Sequence, residues 1–336
     1  MRNDLEGQRK CSNFVGGKII MKLNNNLIMK EGKLSKEEFE LYLSFKPTTI
    51  GNCQNYLRLI SDVYFEMITA TQIAQQKLES IQNYFAKTTM QMFFTKALAT
   101  INLLNGVSYI GRNYTLPSIQ DHSLLFIMTR NFCETIAAYN VLFLLPDTDD
   151  KRRIMENLFL YSGYKYQLRL FSESMQTEFV TEHDIVNQNI QNMKSNIKNT
   201  IYYKSLCSEQ RDKIKSAIRT KNYKLMLSDN EVQILSWQEC LNHYIGKYEL
   251  MDRLYTFLSL HTHPSIRGME QFDAAFEKVN PGDVSLCTTA CQYIISFMSM
   301  FLQEYIKLFP RAKEIFDSKS DFEKWLLTMH DYRKNK

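Results

Sequence analysis

Apolar positions along this chain recur at spacings of three and four, the period of a helix, and no stretch sustains the alternation of a strand. "LSKEEFELYLSF" opens with Ser35 three residues ahead of Glu38, the reciprocal pair that starts a helix. A longer helical pattern covers about 52–105, with Leu57, Ile60, Val63, Tyr64, Met67 and Ile68 on its apolar stripe, and is expected to divide into two helices near Lys87. The glycines of "NGVSYIGRNYTLP" (105–117) predict a loop. Asp121 is placed to cap the next helix and Pro146 to close it; an antiparallel partner follows at 149–171 after a short connection. Further helices are expected at 247–263 and 283–309, joined by a loop, and a last one at "DFEKWLLTMHDYR", capped by Ser318 or Ser320.

The fold class is therefore all-α, one irregular helical bundle. The chain divides into a flexible N-terminal lead (1–34), an N-terminal helical segment (35–117), a helical core (118–310) and a C-terminal helix (311–336). Within the core, 181–232 is poor in apolar residues and rich in Lys, Asn and Gln, the mark of a variable helical insertion at the surface. Met21 is an alternative start.

Composition supports a sizeable core, at 44% hydrophobic and 23% charged over 336 residues. The formal charge of +5 is thinly spread, its longest internal run being Lys151, Arg152 and Arg153, with Arg333, Lys334 and Lys336 at the end. That is less than the concentrated basic face usual for nucleic-acid binding, and it leaves room for RNA held in a small pocket. The seven cysteines form no CxxC pair, which points to reduced thiols in a cytoplasmic protein and to neither a zinc site nor a disulfide framework. No cofactor or metal is expected. Residues 284–303 carry no charge and have the length of a membrane span, but Ser285, Thr289, Gln292, Ser296, Ser299 and Gln303 form a polar stripe. Such a stripe belongs to a closely packed core helix, so no membrane association is expected.

Candidate chemistry gathers in two places. Arg130 and Glu134, one helical turn apart, are the only charged residues between 123 and 145. Buried ions there would need pairing, either with each other as a register-fixing bridge or in a cleft where Arg130 holds an anion and Glu134 orients Arg130 or a histidine. The second place is "YTFLSLHTHPS" (255–265): Tyr255, Ser259 and His263 share one helical stripe, and Pro264 ends the helix at His263. A histidine there serves as a helix cap or as an acid or base toward a phosphate. His261 and His263 diverge on a helix, which disfavours a shared metal. Tyr161, with Tyr164 and Tyr166, is a weaker candidate, as a core aromatic or a substrate contact.

"RNFCE" (130–134) followed far downstream by "YTFLSLHTHPS" resembles an all-helical bacterial family with Arg-x-x-x-Glu on one helix and Ser-x-x-x-His near the end of another. The likeness covers about 120–310, matching Arg130, Glu134, Ser259 and His263 and leaving out His261. That family in turn looks like a distant relative of HEPN domains, helical bundles that are often dimeric and occur in toxins, phage-defence proteins and RNA-processing factors. The resemblance implies a HEPN-like core, RNA or a nucleotide as partner and a homodimer as assembly, and it carries over Arg130, Glu134, Ser259 and His263 alone. Metal-independent ribonuclease chemistry, with Arg130, Glu134 and His263 catalytic, is the expectation built on it, and Ser259, Tyr255, His261 and Tyr161 are the candidate substrate contacts. One departure is plain. Active HEPN ribonucleases carry Arg and then His after four to six intervening residues, whereas Thr256, Phe257 and Leu258 hold those places before His263. Arg130 would have to substitute from another helix. Two other readings stay open: a non-catalytic interaction or scaffold protein, and a sensor of a small anionic ligand.

Overall fold

The computed structural model describes residues 35–72, 80–170, 180–246, 253–277 and 281–335. The expected N-terminal lead, the end of the 149–171 helix and the start of the 247–263 helix lie outside them. Two compact units emerge: Met1–Cys133 with Ile245–Lys336, and Glu134–Tyr244. The architecture is all-α, with fourteen α-helices and two short hairpins among the described residues.

The first unit contains α1 (Lys36–Phe45), α2 (Ile50–Gln72), α3 (Ile81–Leu103), the hairpin β1 (Val107–Ile110) with β2 (Thr115–Ile119), and most of α4 (His122–Tyr139). After the second unit the chain returns with α10 (Leu254–Thr262), α11 (Ile266–Glu277), α12 (Pro281–Leu308), α13 (Pro310–Ser318) and α14 (Asp321–Thr328). Helix α12 is the centre, packed by α2, α3, α13 and α14. It is the one described helix long and apolar enough to cross a membrane, and 83% of its apolar window is buried within the protein. Its polar stripe is absorbed by packing. The Thr289 and Ser296 hydroxyls donate to carbonyls of their own helix, and Gln292 Nε2 donates to the Pro47 carbonyl at 2.8 Å. Tyr64 donates its hydroxyl to the Met298 carbonyl at 2.7 Å, and Thr71 and Tyr305 share a 2.7 Å bond. Small polar residues thus let α2 approach without orphaning its phenol. Phe93 joins three helices, its ring 4.5 Å from Phe132 and 5.4 Å from Phe301.

Local signals set most helix starts. Ser35 with Glu38, and Ser320 with Glu323, form complete capping boxes, and Asp121 accepts from the Ser123 and Leu124 amides. Several boundaries differ from expectation. Lys87 lies inside α3, which begins at Ile81 because Ser80 caps the Asn83 amide. The expected loop at 105–117 contains a bulged antiparallel hairpin. The expected loop after Pro264 contains α11, started by the Ser265 hydroxyl accepting the Gly268 amide. The C-terminal helix is two, α13 and α14. Arg333, expected as surface decoration, is three-quarters withdrawn or more and binds Asp331 and Glu304, both buried.

The second unit holds the end of α4, which runs into a π-helical turn (Asn140–Leu144) marked by the Leu145 amide reaching the Asn140 carbonyl. Helix α5 (Asp149–Gln167) pairs with α6 (Val180–Asn199); α7 (Ile201–Ser205), α8 (Ser208–Thr220), the hairpin β3 (Leu225–Leu227) with β4 (Val232–Ile234), and α9 (Trp237–Ile245) follow. Residues 181–232 lie wholly inside this unit. Lys151, the head of the basic run, is buried and bonded to Asp147 at 2.9 Å and Asp229 at 3.2 Å, so it adds nothing to a basic surface.

Candidate functional site

Two helices of the first unit carry the site. Helix α4 buries Leu125, Phe126, Thr129, Phe132 and Cys133 and leaves Leu124 and Ile127 about two-fifths exposed, so it is greasy all round without being enclosed. Arg130 lies between these faces and is half-buried. Helix α10 buries Leu254, Leu258 and His261, which puts Tyr255 and Ser259 on the adjoining stripe. His263 ends α10 with an extended backbone (φ −115°, ψ 150°), as Pro264 requires, and its amide still reaches the Ser259 carbonyl at 3.4 Å. The elbow into α11 is tight. The Ser265 hydroxyl donates to the Leu260 carbonyl at 2.6 Å, and a Cβ on Gly268 would stand 2.9 Å from that same oxygen.

This elbow brings the exposed His263 to Arg130. Nη1 of Arg130 lies 3.5 Å from Nε2 of His263, while Nη2 donates to the Tyr255 hydroxyl at 2.5 Å. The guanidinium carbon also sits 4.7 Å from the centre of the Tyr255 ring. A guanidinium only donates, so a hydrogen bond between these two atoms uses the Nε2 lone pair as acceptor. The Tyr255 hydroxyl accepts from Arg130. Ser259 turns inward, its hydroxyl donating to the Tyr255 carbonyl at 2.8 Å.

The other expected residues fall elsewhere. His261 lies 4.5 Å from Phe126 in a stacked pair and edge-on to Phe257 and His122. Burial, with His122 beside it, pulls its pKa down to about 4, so it is a neutral core ring. As expected, the two histidines of the motif diverge. Glu134 opens the second unit, where its charge adds to burial in raising the Tyr223 phenol to about 12. Tyr161 also belongs to that unit, packed with Val186 and Ile190. The direct Arg130–Tyr255 pair escaped sequence reasoning, because a tyrosine on an amphipathic helix carries no sign of which cation it meets.

Among the described residues no three His, Cys, Asp or Glu side chains gather as a metal-binding set. Arg130, Tyr255 and His263 together offer a fixed cation, a phenol and an imidazole, the first half-buried and the last open to solvent. No family model, curated protein or solved structure matches this chain, so the arrangement itself is the starting point for function.

Proposed function

We propose that this is a HEPN-like, RNA-binding cytoplasmic protein that cleaves RNA by metal-independent chemistry, acting in bacterial defence or stress. The observation that carries the reading is the approach of Arg130 to an exposed His263, two residues 133 positions apart. A planar guanidinium suits a phosphodiester, since its paired N–H groups match two phosphate oxygens. Once a phosphate takes the Arg130 N–H groups, the His263 Nε2 lone pair is released and takes the proton from a ribose 2′-hydroxyl, whose oxygen attacks phosphorus. The P–O5′ bond breaks, and the same proton returns through the imidazolium to the departing 5′-oxygen, leaving a 2′,3′-cyclic phosphate. Arg130 neutralises the charge that gathers on the phosphorane oxygens.

The test is incubation of the full-length protein with single-stranded RNA in the presence of a chelator, with products resolved by mass. Cyclic-phosphate ends that disappear with His263→Ala support the reading. RNA that is neither bound nor cut overturns it.

A second reading is favoured by the short Arg130–Tyr255 bond: a non-catalytic interaction protein in which Arg130 ties α4 to α10. It expects Arg130→Met combined with Glu134→Leu to leave both fold and biological effect intact, as replaced buried pairs often do. A sensor of a small anion would instead co-purify with absorbance at 260 nm.

A further inference from the structure

The β1–β2 hairpin of the first unit leaves four large apolar side chains in water. Val107, Tyr109 and Tyr114 are 56%, 57% and 70% exposed, and Ile110 81%. A two-stranded ribbon is marginal alone, and this one is held by specific chemistry at its base. Gly106 has φ +77°, and a Cβ there would meet Ser118 Oγ at 2.3 Å and the Ile119 carbonyl at 2.9 Å. The Ser118 hydroxyl donates to the Asn105 carbonyl at 2.8 Å, and Gln54 of α2 donates to the Asn105 side chain at 2.9 Å. The hairpin is thus firmly set while contributing no residue to the buried core.

Its tip is shaped as well. The Tyr109 and Tyr114 ring centres are 6.4 Å apart, and both rings flank Gly111, where a Cβ would stand 3.1–3.2 Å from them. Arg112 is exposed between them in sequence. From Asn105 to Gln120 there is one cation and no carboxylate.

We infer that this hairpin is a stacking platform for single-stranded nucleic acid, with Tyr109 and Tyr114 taking bases and Arg112 a backbone phosphate. The inference rests on the RNA reading above and narrows it to unpaired strands, since only unpaired bases can lie on a ring face. Paired exposed aromatics beside a lone cation match a flexible polyanion that carries π-faces. Strand addition by a protein fits less well on the β2 side, where Pro117 lacks an amide and the register shifts.

The experiment uses the full chain and a labelled twelve-nucleotide deoxythymidine strand, which has no 2′-hydroxyl to cleave, with binding read by fluorescence anisotropy at fixed salt. Tyr109→Ala with Tyr114→Ala weakens binding by about tenfold or more, as loss of base–aromatic stacking does. Tyr109→Phe with Tyr114→Phe keeps the affinity within about twofold, because the π-faces remain. If the alanine pair binds like the parent, the platform is refuted while the Arg130–His263 reading stands. If the parent binds neither this strand nor RNA, both fall. If the parent sediments as an oligomer that the alanine pair dissociates, the hairpin joins copies of the chain and the platform is likewise refuted.

Discussion

Nη1 of Arg130 lies 3.5 Å from Nε2 of His263, and Nη2 of the same guanidinium donates to Tyr255 at 2.5 Å. The cation is therefore shared between a phenol that fixes it and an imidazole that solvent reaches. Separate substitutions test these two roles.

His263→Ala removes the exposed partner. Its effect on stability is expected to stay within about 0.5 kcal/mol, as at other surface positions. Cleavage is expected to fall by roughly 10²–10⁴-fold, the span of a lost acid–base group. Thermal melting and single-turnover cleavage measured side by side check both; unfolding of the variant would assign His263 to the fold instead.

Tyr255→Phe keeps the ring beneath Arg130 and removes the hydroxyl. A double-mutant cycle with Arg130→Met should return a coupling of about 1–2 kcal/mol, the range of a charge-assisted hydrogen bond. Coupling near zero would mean that the bond adds nothing in solution.

His330 is fully buried, edge-on to Tyr56 with ring centres 5.2 Å apart, and burial pulls its pKa from 6.5 to about 4. The unfolded chain then binds a proton between those values while the folded one does not. The contribution is complete above about pH 6.5 and is lost as pH falls toward 4, amounting to on the order of 3 kcal/mol. His261 is shifted in the same direction and adds to the slope. Urea melts from pH 7 to 4 should show the decline, and His330→Phe should flatten it.

Arg333 bonds Asp331 at 2.7–2.9 Å and Glu304 at 2.5 Å, and its Nη2 reaches the Met300 carbonyl at 2.8 Å. Arg333→Met leaves buried Asp331 without this cation and Glu304 with Lys307 at 3.1 Å, and should cost roughly 3–5 kcal/mol. Adding Asp331→Leu and Glu304→Leu should recover much of that, which chemical denaturation can measure.

What the sequence disclosed is what local chemistry decides. Ser35, Asp121 and Ser320 cap their helices through neighbours two or three residues away, and Pro264 fixes the backbone of the residue before it. The polar stripe of α12 reads as core because hydroxyls such as those of Thr289 and Ser296 can bond carbonyls of their own helix. Misplaced boundaries arose where two local signals competed. Ser80 was overlooked beside an unbroken apolar pattern, and Gly106 and Gly111 read as loop although four residues between them pair as a strand. At the site, an isolated charge on a greasy helix marked Arg130. Its contact with Tyr255 could not be read, because only tertiary packing brings α4 and α10 together.

The chain leaves its first unit after Cys133 and re-enters it at Ile245. On a ribosome the intervening 134–244 stretch is complete, and free to fold by itself, before α10 to α14 have been made. The helices that deliver His263 and the central α12 therefore arrive last, and the α1–α3 surface they cover waits uncovered for them. Synthesis stalled between these points would expose that surface to aggregation, so the arrangement favours rapid elongation or a holding chaperone across the final third of the chain.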